Sequence, residues 1–429
     1  MFHLGWFAFE GVQGWGTPDY DPTYAWDRGE LHKAMARKLE SACLDFVLLE
    51  DLCAVPDVYG GSVKTYVELA AQTPKFDPSV LATLMADATS RLGIIPTLTT
   101  TFYHPYLLAR LASTMDHMSG GRIGWNIVTC SSEQAARNFG LDFLPDHDAR
   151  YDIADEYVEL CKKLWNSWEA GAIVGDHENE VFADHTKVKK VDFAGKHFRS
   201  RGPLTVPHSP QGCPVLAQAG VSPRGKRFAA KHAELILTQS SNPSELKAYR
   251  DEVRNLAAEQ GRSPDALKVL NVNFPRVFDS QAEVDDYRLW LQDVPDKLVT
   301  RWLALISAIT NVDLAAYDRD KPLPDDINTN GSKGTLDWLR TGNATPRQIA
   351  LRMGRLTDKQ PLVGTAEQVA DEMEEMMSIV GGDGFLVAGP LAPKYVARIT
   401  DKLVPVLQKR GLMRTSYSHR TFRENLLAF

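Results

Sequence analysis

Cysteine is scarce in this chain of 429 residues: Cys43, Cys53, Cys130, Cys161 and Cys213 are an odd number and widely scattered. No pair has CxxC spacing, so neither a zinc site nor a disulfide framework organises the fold, and reduced thiols in a cytoplasmic protein are the simplest reading. Basic charge is also short. The net charge of −7 argues against nucleic acid or an anionic membrane as a partner, but not against an anionic cofactor held locally by backbone N–H groups. No apolar run reaches the length of a membrane span. The apolar start MFHLGWFAFE lacks the basic residues and cleavage site of a leader, so it reads as a first strand. HExxH, GxSxG, paired His–carboxylate spacing and a GxGxxG after the first strand are all missing, which removes the commonest metal, hydrolase and dinucleotide signatures.

What is present is a regular alternation of short apolar strands and amphipathic helices. Strands are expected at 3–9, in DFVLLED, in LGIIPTLTTT, and at 122–128, 214–220, 234–240, 267–274 and 382–389. His3 is expected exposed at the start of the first and Glu10 at its end. Most strands are followed by a helical pattern. Leu31, Met35 and Leu39 mark one such helix, Leu108, Leu111, Met115 and Met118 another, and Ile153, Tyr157, Leu160 and Leu164 a third. Eight such units predict a closed (β/α)8 barrel over one domain, 1–429, with a doubly wound sheet as the main rival. Two stretches break the rhythm. One, at about 170–212, follows strand four and contains a hairpin near Ala194-Gly195; the other, at about 280–360, follows strand seven.

In a barrel of this kind the working groups lie at the carboxyl ends of the strands. Those ends offer Glu10, Asp51, the threonines from Thr97 to Thr101, Asn126 and Thr129, then Gln218 and Ser222. His147 and Tyr151 stand four apart at the start of a helix and share a face. The set is rich in uncharged hydrogen-bonding groups and poor in metal ligands, which suits a planar polar ligand. Each member also has a structural reading: Asp51 as a turn cap, the threonines as strand formers, His147 as a cap, Tyr151 as core. Ser222 before Pro223 is a good N-cap, and the same helix start is a ready anion site. Gly220 would let a ligand approach the backbone.

The segments RIGWNIVTC, HDARYDIADEYVELCKKLWNSW, VFADHTKV, RGPL, VPHSPQGCPVLAQAGVSPRGKRFAAKHAE and LVPVLQKRGL resemble the bacterial-luciferase-like flavin monooxygenases. The branch is that of nitrilotriacetate, dibenzothiophene sulfone and long-chain alkane monooxygenases, and the likeness covers nearly the whole chain. It implies a TIM barrel of the luciferase type with insertions after strands four and seven. It also implies an oxygenase component that uses O2 and reduced FMN from a separate NAD(P)H:flavin reductase on a small aromatic, organosulfur or aliphatic substrate. A homodimer or homotetramer is implied as well. Carried over by motif, Asp51, Thr97, His147, Tyr151 and Ser222 are the expected FMN contacts, with Asn126 added from its WN motif. No catalytic side chain is implied, because the cofactor carries the oxygen chemistry. The chain departs from the branch in the loop QGWGTPDYDPTYAWDRGELH, where relatives carry Trp-Arg-His. It departs again at Cys130, where a small hydroxyl is common, and at Ile309, where the sulfone enzymes carry histidine. All three fall where substrate is expected. A deazaflavin-dependent oxidoreductase and a non-catalytic flavin-binding protein are the alternatives. In the second excursion, Leu298, Trp302, Leu305, Ile306 and Ile309 form an apolar stripe of helical period, expected either to cover the site as a lid or to pack on the barrel or a second subunit.

Overall fold

Eight parallel strands close into a barrel in the computed structural model, which describes residues 1–429 except 10, 13, 325, 330, 332–334, 337–341 and 356–360. They are β1 (His3–Ala8), β2 (Phe46–Leu49), β3 (Gly93–Thr99), β4 (Gly124–Val128), β5 (Val215–Gln218), β6 (Leu235–Thr238), β7 (Lys268–Asn273) and β8 (Gly384–Gly389). Each pairs with its sequence neighbours, and β8 closes on β1 with His3 opposite Gly384. The expected strands are all present. Glu10 lies outside the described residues, as does part of the second excursion.

The strands form because short β-branched runs can be buried on both faces. Alternate side chains divide between two cores. Phe46, Leu48, Ile95, Val215, Ala217, Leu237, Leu270 and Leu386 fill the barrel, whereas Leu4, Trp6, Ile94, Leu98, Trp125 and Ile127 face the outer helices. The principal outer helices are α1 (Gly29–Ser41), α2 (Pro78–Asp87), α3 (Pro105–Ser119), α4 (His147–Trp165), α5 (Pro223–His232) and α6 (Pro243–Glu259). α2, α3, α5 and α6 start alike: proline in the first turn, preceded by a residue whose side chain accepts a backbone N–H. Proline loses nothing there, since its missing N–H would have no partner in the helix anyway.

Two expectations fail. His3 is buried, with Nδ1 3.0 Å from the buried Asp45 carboxylate and its ring stacked on Phe429 at 4.3 Å. A buried carboxylate, also paired with Arg414 at 2.8 Å, draws the imidazole inward. Met118 is exposed, although its helix buries Leu108 and Met115. Around His3 the chain's last helix, Phe422–Leu426, forms the barrel floor. Phe422 lies against Phe46 at 5.7 Å, its N–H reaches Gly121, and Arg423 binds the carbonyls of Cys213 and Pro214 just before β5.

The first excursion carries the expected small hairpin, Phe193–Ala194 with Arg199–Ser200. It also carries a second, unexpected one, Ile173–Asp176 with Val181–Ala183, exposed along most of its length. The second excursion holds α7 (Gln281–Trp290) and α8 (Asp296–Thr310) before α9 (Ala366–Val380) returns to the barrel. The expected stripe on α8 divides. Ile306 packs with Val299 and Leu303 against Tyr59 and Tyr66 of the loop after β2, and Leu298 and Trp302 pack with Leu291. Leu305 and Ile309 stay half-buried. The Tyr66 hydroxyl donates to the Ala304 carbonyl at 2.9 Å, and Arg301 binds carbonyls of Trp15 and Ala70. So α8 rests on the loops that leave β1 and β2, on the carboxyl-end rim.

Candidate active site

The inner face of the barrel turns polar at its carboxyl end. Thr97 on β3 lies directly opposite Asn126 on β4, and Asn126 Nδ2 donates to Thr97 Oγ1 at 2.9 Å. Both are buried, and Asn126 Oδ1 has no hydrogen-bond partner among the described residues. A buried carbonyl left unpaired costs about 1–3 kcal/mol, a cost that a donor from a ligand or a water would remove.

A second corner lies between β5 and its neighbouring helices. Gln218 ends β5 facing outward, and its Nε2 donates to the Tyr151 hydroxyl on α4 at 3.2 Å, while its Oε1 is buried and unpaired. Ser222 caps α5, accepting from Gly225 N–H at 3.0 Å, and its Oγ stands 3.5 Å from His147 Nε2. The His147 and Tyr151 rings lie 5.1 Å apart, as the four-residue spacing on one face requires. Burial raises the Tyr151 phenol, which stays protonated and able to donate. The corner is tight. A Cβ on Gly225 would lie 3.0 Å from both Ser222 Oγ and Tyr151 OH, and one on Gly220 would lie 2.5 Å from Gln218 Oε1. Bare backbone at these two positions leaves the start of α5 open to an anion.

Asp51 follows β2 and is part-buried; it accepts from Cys53 Sγ at 3.3 Å. Burial raises its carboxyl, and burial, followed by the charge and hydrogen bond of Asp51, pushes the Cys53 thiol up to about 12. Cys130, just beyond β4 with a φ of 57°, is raised by burial too. Neither thiol is a ready nucleophile. The structure thus joins Thr97 to Asn126, and His147, Tyr151 and Ser222 to one another. Asp51 stands in a separate group with Cys53, and Ile309 lies apart on α8. Sequence reasoning did not single out Cys53 or Arg150. The second carries a signal visible in hindsight, an arginine three residues after His147 and therefore on its face. A cleft of about 320 Å³ beside Asp19, Arg276 and Tyr287 contains none of the candidate residues.

A (β/α)8 barrel with uncharged hydrogen-bonding groups at its mouth and a helix start beside them is a frame that can hold a cofactor. Comparison with known proteins gives the class: the luciferase-like monooxygenase model matches residues 2–384, and the chain belongs to that family. It is 37% identical over 407 residues to the dibenzothiophene-sulfone monooxygenase of Rhodococcus erythropolis, covering 93% of this chain and 89% of that one. It is 36% identical to the long-chain alkane monooxygenase of Geobacillus thermodenitrificans, covering 91% and 85%. The solved structure of a riboflavin lyase with modified FMN and riboflavin superposes with a TM-score of 0.89 at 31% identity, covering 100% and 96%. The chain is a flavin-dependent monooxygenase of this family.

Proposed function

We propose that the protein binds reduced FMN, delivered by a separate NAD(P)H:flavin reductase, and oxygenates a small aromatic, organosulfur or aliphatic compound with O2. The observation that carries this reading is the unpaired buried oxygen Asn126 Oδ1 on the inner face of the barrel, with the helix start capped by Ser222 on the neighbouring unit. A flavin ring imide supplies a donor for such an oxygen, and a phosphate suits the positive dipole end at the start of α5. The residues present therefore fit FMN. Ser222, His147 and Tyr151 would hold the phosphate end, and Thr97, Asn126 and Asp51 the remainder. When bound and reduced, FMN supplies two electrons to O2 so that one oxygen atom reaches the substrate. The protein's share is to orient, to donate hydrogen bonds and to keep water out. Leu305 and Ile309 of α8, half-buried on the rim, are suited to that exclusion, which makes α8 a cover over the mouth of a single barrel domain.

The two closely matching enzymes act on a sulfone and on long-chain alkanes by name, which supports an apolar substrate body. The same relatives weigh against a deazaflavin-dependent reductase. Five free cysteines fit the cytoplasm, and no helix among the described residues is long and apolar enough to cross a membrane. The exposed hairpin, with Ile173, Val174, Val181 and a 71% exposed Phe182, suits an arm that packs on a second copy of the chain. The test is oxygen consumption and product analysis with reduced FMN against a panel of sulfones, thioethers, alkanes and arenes. Oxygen-dependent formation of a product carrying one atom of labelled O2 is expected. Retention of FMN with no turnover on any compound would favour a non-catalytic flavin-binding protein instead.

A further inference from the structure

The cleft of about 320 Å³ beside Asp19, Arg276 and Tyr287 lies between two helix faces and shares no residue with the flavin corner. Glu283, Asp286, Tyr287 and Trp290 recur at three- and four-residue spacing along α7 and line one side. Lys394 and Arg398, four apart where the helix Pro393–Ala397 runs on after β8, line the other. Arg276 and Phe278 beyond β7, with the loop from Thr17 to Asp19 beyond β1, complete the lining. The volume falls at the lower end of the range for small-molecule pockets.

Three rings form one apolar wall. Phe278 lies 5.2 Å from Tyr287, and Tyr287 stacks on Trp290 at 5.8 Å with 21° between the planes. Phe278 is buried while Tyr287 and Trp290 are half-buried, so the wall runs from the interior to the surface and can take a further ring. At its buried end stand two guanidiniums and one carboxylate. Arg276 pairs with the buried Asp19 and sits 5.2 Å over the Tyr395 ring. Arg398 sits 5.0 Å over the Phe278 ring, which fixes it in place. Its ion-pair partner Glu283 is as far as 3.9 Å and also accepts from the Asp279 N–H, so the positive charge there is only loosely offset. At the exposed end Lys394 and Asp286 supply opposite charges. The Tyr287 hydroxyl is buried near Arg276, yet it makes no hydrogen bond of ordinary geometry among the described residues. Burial raises its phenol, which therefore stays a donor in want of an acceptor.

We propose that this cleft is a second small-molecule site, separate from the flavin, that takes a planar aromatic acid. The ring lies along Tyr287 and Trp290, and the carboxylate accepts from the Tyr287 hydroxyl and from Arg398. Asp19 and Arg276 hold the shape of the buried end. The site does not depend on the monooxygenase reading and can be tested without turnover.

The experiment is calorimetric titration of the full chain with 1-naphthoate, 1-naphthamide and cyclohexanecarboxylate, with and without saturating FMN. One site is expected, with 1-naphthoate bound about tenfold or more tighter than its amide, the range of a hydrogen bond to a charged group, and tighter than the ring that cannot stack. FMN should change that affinity by no more than about twofold. Tyr287→Phe and Arg398→Gln should each weaken the acid more than the amide, and Trp290→Ala should weaken both, with FMN affinity held within about twofold throughout. Because Tyr287→Phe removes only an unpaired hydroxyl, its melting temperature should not fall. The proposal is overturned if 1-naphthoate does not bind, or if FMN displaces it, which would place it in the flavin site. It is equally overturned if the preference for the acid survives both Tyr287→Phe and Arg398→Gln. A lower melting temperature for Tyr287→Phe would show that the hydroxyl already has a structural partner, and would overturn it too.

Discussion

Replacing Ser222 with alanine separates a helix cap from a cofactor anchor, because the two roles have different sizes in different assays. The hydroxyl accepts from Gly225 N–H at 3.0 Å, and loss of a cap of this kind costs about 1 kcal/mol. Unfolding entropy near 2 cal/mol/K per residue over a chain of 429 residues means that this shifts the melting temperature by roughly 1 °C if the chain unfolds as a unit. If Ser222 also donates to a phosphate, its loss removes a charge-assisted bond of about 1.5–3 kcal/mol, or about ten- to hundredfold in affinity. Riboflavin lacks the phosphate and should bind the variant as it binds the wild type. The measurement is fluorescence titration with FMN and with riboflavin, beside calorimetric melting. An unchanged FMN affinity with a lower melting temperature would leave Ser222 a cap and nothing more. An equal loss for both flavins would place it against the ring or ribityl chain.

Gly225→Ala should also weaken FMN at least tenfold or so, since its Cβ would press on Ser222 Oγ and Tyr151 OH at 3.0 Å; unchanged flavin titration would refute the cradle. Ile309→His should alter substrate range or turnover with FMN affinity nearly constant, and a variant identical on every substrate would remove the cover from the argument. Acid should destabilise the fold in two stages. Burial holds the His232 imidazole below its usual range despite its 2.7 Å contact with Asp155, so its share of stability, complete above about pH 6.5, is lost as pH falls through the folded value. Burial alone would raise the Asp155 carboxyl, but bonds from His232 and Arg224 outweigh it and the net shift is down; its share is lost further down, from about pH 4. His232→Gln should flatten the upper part of the melting-temperature profile below about pH 6.5, and an unaltered profile would refute the assignment. Phe182→Asp with Val174→Asp should lower the mass seen in sedimentation if the hairpin is an oligomer arm, while a monomeric wild type would remove that role.

The barrel was legible because its strands are short runs buried on both faces and because helix starts such as Ser222-Pro223 announce themselves chemically. The shared face of His147 and Tyr151 was legible for the same reason: spacing alone dictates it. Partners across the barrel were not. Nothing in the chain near His3 tells of Asp45 and Arg414, which turn an expected surface residue into a core one. Apolar periodicity located α8 but could not say that its stripe would divide between Tyr66 and Leu291. The hairpin from Ile173 to Ala183 escaped because a two-stranded arm without a core has too few apolar positions to establish a period.

The barrel floor bears on how the molecule is made. β1 leaves the ribosome before the other seven strands, yet its partners along one edge are β8 and, beneath it, the segment that brings Arg414 to Asp45 and Phe429 to His3. Until those late residues emerge, β1 has an unpaired edge, and Phe46, one of its neighbours, lacks the Phe422 ring that covers it. A nascent chain therefore carries an open seam and an uncovered apolar mouth throughout synthesis, a state prone to pairing with other chains. Closure joins β1 to β8, strands far apart in the sequence, a slow kind of contact to form. Substitutions in the final helix should accordingly be felt in the yield of soluble protein well before they are felt at the site on the opposite rim.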